Sequence, residues 1–341
     1  MSKAFELSPS RCRFRAELTQ QVAAKTEAIF EKRYFDKKIR WTGLDENGQT
    51  IDGAHRSDPR YYYTSPLSRL SGSGTGSNLG IATSVSVMFL ASVIADFKVE
   101  TMIDAPCGDA NWQFQAWEVD SIRAFVGLDI VHAVIDLNAR RYAFHSNKIF
   151  SHWDFSRCPL PRIRWLARRD ARDDAEARPA VTGPPVAVDL VHMRDVLQHL
   201  RSSSALRALH NVMSSGARLL VATTFPSDRG AGKGAAANAT SPLGAGRRLQ
   251  ANNRKILEGN FFAADLLRSP FNLPRPLRCE PTHPHLEADL TCVWRLDNTS
   301  RHAWLREHAR VMQPTAVDDG ADGFEMPVST STRSGGRSRA G

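Results

Sequence analysis

Five short apolar runs, each ending in polar residues, alternate with helix-like segments along the middle of the chain. Such runs are typical of strands in a parallel sheet that is buried on both faces. The segments between them carry apolar residues at helical spacing, as at Leu206, Leu209 and Met213. This alternation requires right-handed crossovers and predicts an α/β fold with a doubly wound, mostly parallel sheet. The predicted strands are Val99–Ala105, Ala124–Ile130, Lys148–Asp154, Ala187–Arg194 and Ala217–Phe225. The predicted helices are Leu79–Phe97, Asn111–Ser121, His132–Phe144 and Ser203–Met213.

Two further predicted strands, Leu277–Glu280 and Ala288–Leu296, follow the fifth run and are joined by a short turn that contains His and Pro. They predict an antiparallel hairpin that closes the sheet edge and brings the sheet to seven strands, with helices on both faces.

Composition divides the chain into three regions. We predict an N-terminal helical extension at residues 1–60, a core domain at residues 61–300 and a tail at residues 301–341 that is disordered from about residue 313. Two insertions interrupt the core. Residues 226–257 are rich in Gly, Ala, Ser, Asn and Arg without an apolar period, and residues 160–185 form the other; both are predicted to be flexible.

The formal net charge of +9 raises the question of a nucleic-acid partner. Residues 157–178 hold seven arginines against four acids, and residues 229–257 hold six basic residues and no acid. The whole excess therefore lies in or beside the two insertions, where a solvated arginine-rich loop is the favoured interpretation and nucleic-acid binding the alternative.

Five widely spaced cysteines without an evident signal peptide make a disulfide framework improbable and predict a reducing, cytoplasmic location. The uncharged residues 77–95 are diluted by Ser, Thr and Gly, so no membrane span is predicted. Cys279, His283, His285 and Cys292 have the residue types of a zinc site. Because no C-x-x-C pair is present, an ordinary hairpin is favoured and no metal is predicted.

The turn after the first predicted strand reads IDAPCGDANW, residues 103–112. Open parallel sheets bind ligands at the carboxyl ends of strands where the strand order reverses. A dinucleotide site at this turn requires G-x-G-x-x-G, but this turn has the single glycine Gly108 between Asp104 and Asp109. Two carboxylates repel a pyrophosphate and favour a ligand with cationic groups, such as an ammonium and a sulfonium.

Five motifs occur in order along the chain: Ser71–Thr75, Asp104–Asp109 with Trp112, Val126–Ile130, Arg194–Leu200 and Pro270–Pro274. With these motifs the chain resembles the class I, Rossmann-like S-adenosylmethionine-dependent methyltransferases, in a subgroup whose first motif reads D-A-P-C-G-D. The resemblance spans residues 60–297, interrupted by the two insertions. It implies S-adenosylmethionine as cofactor and in-line methyl transfer to an acceptor, which could be a small molecule, glycan, protein or nucleic acid.

The resemblance and the strand positions together assign candidate cofactor residues. Asp129 ends the second strand, where a carboxylate can accept both ribose hydroxyls. Asp104 is expected at the methionine moiety, or as a helix N-cap. Asp154 is expected near the adenine amine, or as a simple turn residue. The predicted cofactor-binding residues are Asp104, Ala105, Pro106, Cys107, Gly108, Asp129, Ile130, Asp154 and Arg194.

Arg194, Asp195 and His199 follow the fourth strand and are the candidate catalytic residues on the acceptor side. Methyl transfer needs alignment and exclusion of water, and a base only when the acceptor is a hydroxyl or an ammonium. His199 has a suitable intrinsic pKa for that base, although a structural role is the alternative. Two other functions remain open: a non-catalytic, cofactor-binding regulatory protein of the same fold and, less favoured, an NAD-type oxidoreductase.

Overall fold

The computed structural model describes residues 3–8, 24–31, 71, 73, 77–167, 180–226, 263–283 and 286–309. Within these described residues, ten strands form two sheets, one of seven strands and one of three. The strands are β1 (Phe5–Ser8), β2 (Thr101–Asp104), β3 (Ala124–Asp129), β4 (Lys148–His152), β5 (Arg162–Leu166), β6 (Val181–Val186), β7 (Leu190–Met193), β8 (Leu219–Thr224), β9 (Arg278–His283) and β10 (Leu286–Arg295).

The seven-stranded sheet has the order β4-β3-β2-β7-β8-β10-β9. The first five strands of that order are parallel, while β10 runs antiparallel to both β8 and β9. Strand β2 is therefore central: β3 and then β4 follow on one side of it in the sheet, and β7 and then β8 follow on the other. This arrangement confirms the predicted doubly wound sheet with its C-terminal hairpin, and it places the topological switch point at the carboxyl end of β2.

Helices cover both faces of this sheet. Neighbouring residues of a strand point to opposite faces, and Met102 and Ile103 of β2 belong to two separate clusters of buried side chains. The Met102 cluster contains Leu90 of the helix at Ile81–Phe97, and the Ile103 cluster contains Leu209 and Trp304 from two other helices. The helices are α1 (residues 24–31), α2 (Ile81–Phe97), α3 (Trp117–Asp120), α4 (His132–Arg141), α5 (Ser202–Ser215) and α6 (Asn298–Glu307).

The three-stranded sheet has the order β1-β5-β6, with both pairs antiparallel. Phe5 of β1 lies opposite Trp165 of β5, and Phe5 and Ile163 are fully buried in the same cluster as α5. The N-terminal extension thus contains a strand as well as helix α1, and the insertion at residues 160–185 includes strand β5 and most of β6. Residues 168–179 of that insertion, residues 227–262 and residues 310–341 lie outside the described part of the chain.

The predicted helix Asn111–Ser121 is broken into a 3-10 turn at Gln113–Gln115 and the short helix α3. At this break the polar side chain of Gln113 points into the protein. Gln113 is buried, and its side-chain amide donates to Asp104 and to the Cys107 carbonyl. A regular amphipathic helix has no such inward polar contact, so periodicity alone could not locate the break.

Cys279 of β9 and Cys292 of β10 lie directly opposite each other and form a disulfide. Cys158 is also disulfide-bonded. The prediction against disulfides was therefore wrong, because hairpin pairing brings together cysteines that are 13 residues apart in sequence. With both sulfurs joined, the zinc set suggested by Cys279 and Cys292 has no free thiolates.

Within the described residues, no helix combines the length and the apolar character needed to cross a membrane.

Candidate cofactor and acceptor site

The loop after β2 crosses the ends of the two neighbouring strands. The Ala105 amide donates to the His192 carbonyl of β7 at 2.9 Å, and the Cys107 amide donates to the Leu128 carbonyl of β3 at 2.8 Å. Gly108 has φ of 54°, in the left-handed region that glycine adopts at little cost. The peptide between Ala105 and Pro106 is cis. These contacts hold the loop at the switch point of the sheet.

Asp129, at the end of β3, is bonded to this loop. Its Oδ2 accepts the Gly108 amide at 3.1 Å, and its Oδ1 accepts the Val131 amide at 3.0 Å. Burial raises the pKa of Asp129 to about 6, although backbone amide donors, those of Val131 and Gly108 first, act in the opposite direction. The carboxylate is therefore mostly ionised at neutral pH. Each oxygen has remaining lone-pair capacity with which to accept a hydroxyl.

Asp104, at the end of β2, is buried and bonded to protein groups through both oxygens. Its Oδ1 lies 2.6 Å from Nδ1 of His192, and its Oδ2 accepts the Gln113 side-chain amide at 2.8 Å. The same Gln113 amide donates to the Cys107 carbonyl at 2.8 Å. Asp104 thus secures the loop from inside the protein. His192 and Gln113 were missed in the sequence; a histidine inside an otherwise apolar strand was the available signal for the former.

Asp109 connects the loop to the Ser71–Thr75 motif. Ser71 Oγ donates to the Asp109 carboxylate at 2.9 and 3.0 Å, and Ser73 Oγ lies 3.2 Å from Oδ1. The Asp109 amide in turn donates to Ser73 Oγ at 3.0 Å. Two motifs that lie more than thirty residues apart in sequence therefore meet, while residues 72 and 74–76 lie outside the described part of the chain.

Cys107 lies beneath the loop and is 2% exposed. Burial, followed by the charges of Asp129, Asp104 and Asp109, raises the pKa of the thiol well above its usual range. The side-chain amide of Asn138 donates to the Gly108 carbonyl at 2.7 Å and lies 3.8 Å from the Cys107 sulfur. A neutral thiol in this position packs under the turn rather than acting as a nucleophile.

Asp154, beyond the end of β4, accepts hydrogen bonds from its own turn. Oδ1 accepts from the Ser156 amide at 3.0 Å and from the Ser156 hydroxyl at 2.6 Å, while Oδ2 pairs with the Arg157 guanidinium. Arg157 also donates to Thr26 of α1 at 3.3 Å. Nearby, the Ile130 carbonyl lies 2.8 Å from His152 Nε2. An adenine amine would have to share Asp154 with these partners.

The candidate acceptor-side residues lie on the segment after β7. Arg194 is buried, bonds through Nε to Ser86 Oγ at 3.0 Å, and places its guanidinium 5.2 Å from the centre of the Trp112 ring. Its Nη1 lies 3.3 Å from Asp195 Oδ2. Asp195 has φ of 53°, and His199 ends a 3-10 turn with its side chain partly exposed. Arg194 is thus fixed in the interior, and Asp195 and His199 have access to solvent.

Comparisons with known proteins found no matching family model and no matching curated protein. The solved structures similar to this chain include the N-methyltransferase NodS from Bradyrhizobium japonicum with bound S-adenosyl-L-homocysteine, at 12% identity and a TM-score of 0.37, covering 62% of this chain and 84% of that chain. Magnesium protoporphyrin IX methyltransferase from Synechocystis has 12% identity and a TM-score of 0.37, covering 61% of this chain and 81% of that one.

The methyltransferase domain of bacterial CtHen1-C has 14% identity and a TM-score of 0.30, and the match covers 42% of this chain and 66% of that domain.

Proposed function

We propose that this chain is an S-adenosylmethionine-dependent methyltransferase. The observation that carries the proposal is the contact between Asp129 Oδ2 and the Gly108 amide, which joins the end of β3 to the loop after β2 at the switch point. A buried carboxylate here favours ribose hydroxyls and repels a phosphate. The acidic residues Asp104 and Asp109 in the same loop oppose a pyrophosphate as well.

The residues present fit the nucleoside end of this cofactor. Asp129 has acceptor capacity left on both oxygens, and the loop from Ala105 to Gly108 would lie beside the methionine end. Asp104 is bonded to His192 and Gln113 through its two oxygens and supports that loop. When bound, the cofactor supplies a methyl group activated by a sulfonium.

On the acceptor side, the protein aligns the acceptor and excludes water. Arg194 is buried and is bonded to Ser86, and its guanidinium lies over the Trp112 ring. These contacts fix its position on the acceptor side of the site. Partly exposed His199 is the candidate to take the proton from an acceptor hydroxyl or ammonium.

Calorimetric titration of the full chain with S-adenosylmethionine, S-adenosylhomocysteine and NAD tests the cofactor assignment. We expect both adenosyl compounds to bind and NAD not to bind. Asp129→Asn should weaken adenosyl binding by about tenfold to a hundredfold, since a hydrogen bond to a charged group contributes about 1.5–3 kcal/mol. Asp136→Asn, an exposed acid on α4, is the matched control and should bind as the wild type does. Failure of the folded wild type to bind either adenosyl compound would exclude the proposal.

Transfer of an isotopically labelled methyl group to pools of small molecules, glycans, proteins and nucleic acids tests the enzymatic half of the proposal. For a hydroxyl or ammonium acceptor, His199→Asn should lower kcat at neutral pH and remove the acidic limb of the pH profile. Tight cofactor binding with no transfer to any pool would instead support a non-catalytic, cofactor-binding protein.

A further inference from the structure

Three potential metal ligands converge beside the ends of β3 and β4, outside the residues assigned above. Glu27 comes from α1, His132 is the first residue of α4 and His152 is the last residue of β4. One ligand atom from each lies within 4.8 Å of the others. The three residues come from separate segments, so the tertiary fold, and not one local turn, brings them together.

We propose that Glu27, His132 and His152 form a binding site for a divalent transition-metal ion of the Zn²⁺ class. Two imidazoles and a carboxylate are a ligand set that Zn²⁺ uses, with remaining positions left for water. Mg²⁺ and Ca²⁺ prefer oxygen ligands and are poorly served by two imidazoles.

The separations between the donor atoms fit a shared ion better than direct ion pairs. His132 Nδ1 lies 3.4 Å from Glu27 Oε1, and His152 Nε2 lies 3.6 Å from Glu27 Oε2. Charge-assisted hydrogen bonds between nitrogen and oxygen are about 2.7–2.9 Å long. Tetrahedral donors about 2.1 Å from one zinc ion lie about 3.4 Å from each other.

The surroundings hold the carboxylate in place and leave the site accessible. The His132 amide donates to Glu27 Oε1 at 3.0 Å, which fixes the carboxylate at the start of α4. The two rings lie 3.7 Å apart between centroids and are tilted by 35°. One nitrogen of each ring lies 3.4 or 3.6 Å from an oxygen of the carboxylate. The His132 side chain is 64% exposed, which gives an ion a path from solvent.

Metal binding requires both imidazoles to be neutral. His152 Nε2 now lies 2.8 Å from the Ile130 carbonyl, and as a ligand it would give up that contact and keep its proton on Nδ1. Protons compete with the metal ion for the imidazole nitrogens, so binding weakens as the pH falls. The bound ion would join α1 to the segment that follows Asp129.

Titration of the metal-free full chain with Zn²⁺ by calorimetry tests the site. We expect the wild type to bind one equivalent that is lost, or weakened at least tenfold, in both His132→Ala and Glu27→Gln. His302→Ala removes an exposed histidine on α6 and is the matched control, which should keep that equivalent. Because the His132 side chain is mostly exposed, its replacement is expected to leave the fold intact, which circular dichroism checks.

Hydrogen exchange provides a second readout that is independent of any enzymatic activity. Zn²⁺ should slow exchange of the amides of residues 24–31 in the wild type and not in His132→Ala. The proposal is overturned if His132→Ala and Glu27→Gln titrate like the wild type, or if Zn²⁺ leaves exchange in α1 unchanged.

Discussion

His192 Nδ1 lies 2.6 Å from Asp104 Oδ1, and the two side chains are 2% and 1% exposed. The pair joins β7 to β2 at the position where their register aligns the two residues. Because Asp104 also accepts the Gln113 amide, the pair connects the sheet with the loop that precedes α3. The interior of the candidate site is thus held by a buried polar network.

Breaking this network should destabilise the protein. Asp104→Asn replaces the charged acceptor by a neutral amide, and His192→Phe leaves Asp104 buried without its histidine partner, so each should lower the free energy of unfolding by about 1–3 kcal/mol. Urea denaturation of the two single variants and the double variant measures the coupling between the residues. The double variant should lose less than the sum of the two singles; strict additivity would show that the contact contributes nothing.

Stability should depend on pH through Asp129. Its pKa is raised to about 6 in the folded protein, against about 3.9 in an unfolded chain, so the folded state binds the extra proton between these values. Proton binding to Asp129 therefore stabilises the folded state. This contribution is complete below about pH 4 and is lost as the pH rises through about 6. Relative to Asp129→Asn, the wild type should lose about 2–3 kcal/mol of unfolding free energy between pH 4 and pH 7. Parallel denaturation curves would contradict the assignment.

Ligand binding should have the opposite pH dependence. If the ionised Asp129 accepts ribose hydroxyls, affinity for S-adenosylhomocysteine should fall as the pH decreases below about 6, because the protonated carboxyl has lost acceptor capacity. Calorimetry between pH 5 and pH 8 measures the change, and Asp129→Asn should show a flatter profile. An affinity that is constant over that range would show that the Asp129 carboxylate does not bind the ligand.

Gly127 of β3 has no space for a side chain. An added Cβ would lie 2.5 and 2.7 Å from two ring atoms of Phe150 and 3.0 Å from the Cys107 sulfur. Gly127→Ala should therefore destabilise the protein by about 1–3 kcal/mol through overpacking. Adding Phe150→Leu should restore part of that loss, as measured by urea denaturation. If the double variant were no more stable than Gly127→Ala, the Phe150 contact would not be the cause.

Cys107 should resist alkylation in the native protein. Burial raises the pKa of its thiol, so both access and the thiolate fraction are low. Iodoacetamide at pH 8 should leave the Cys107 peptide unmodified by mass spectrometry and modify it after denaturation. Rapid native labelling would show that the loop opens readily.

The sequence predicted the parallel strands well, because each is an apolar run that is local in the chain. Strands β1, β5 and β6 were missed as a sheet, since β1 pairs with a segment more than 150 residues away and its alternation of apolar and polar residues is only four residues long. The disulfide between Cys279 and Cys292 likewise depends on hairpin register, which spacing alone does not define.

For the candidate site, the strand-end positions of Asp104, Asp129 and Asp154 could be read from the sequence. Their partners could not, because Asp104 bonds to His192 of a distant strand and Asp154 bonds to Arg157, which contacts α1. The assignment of an adenine-binding role to Asp154 therefore stays a prediction, with three hydrogen-bonding partners already in place.

The pairing of Phe5 with Trp165 has a consequence for synthesis of the chain. A ribosome adds about 5–20 residues per second, so about 8–30 s separate the emergence of these two residues. During that interval the main-chain groups of β1 have no strand to pair with and are hydrated. Strand β1 is therefore ordered after β2, β3 and β4 have emerged, although it precedes them in the sequence.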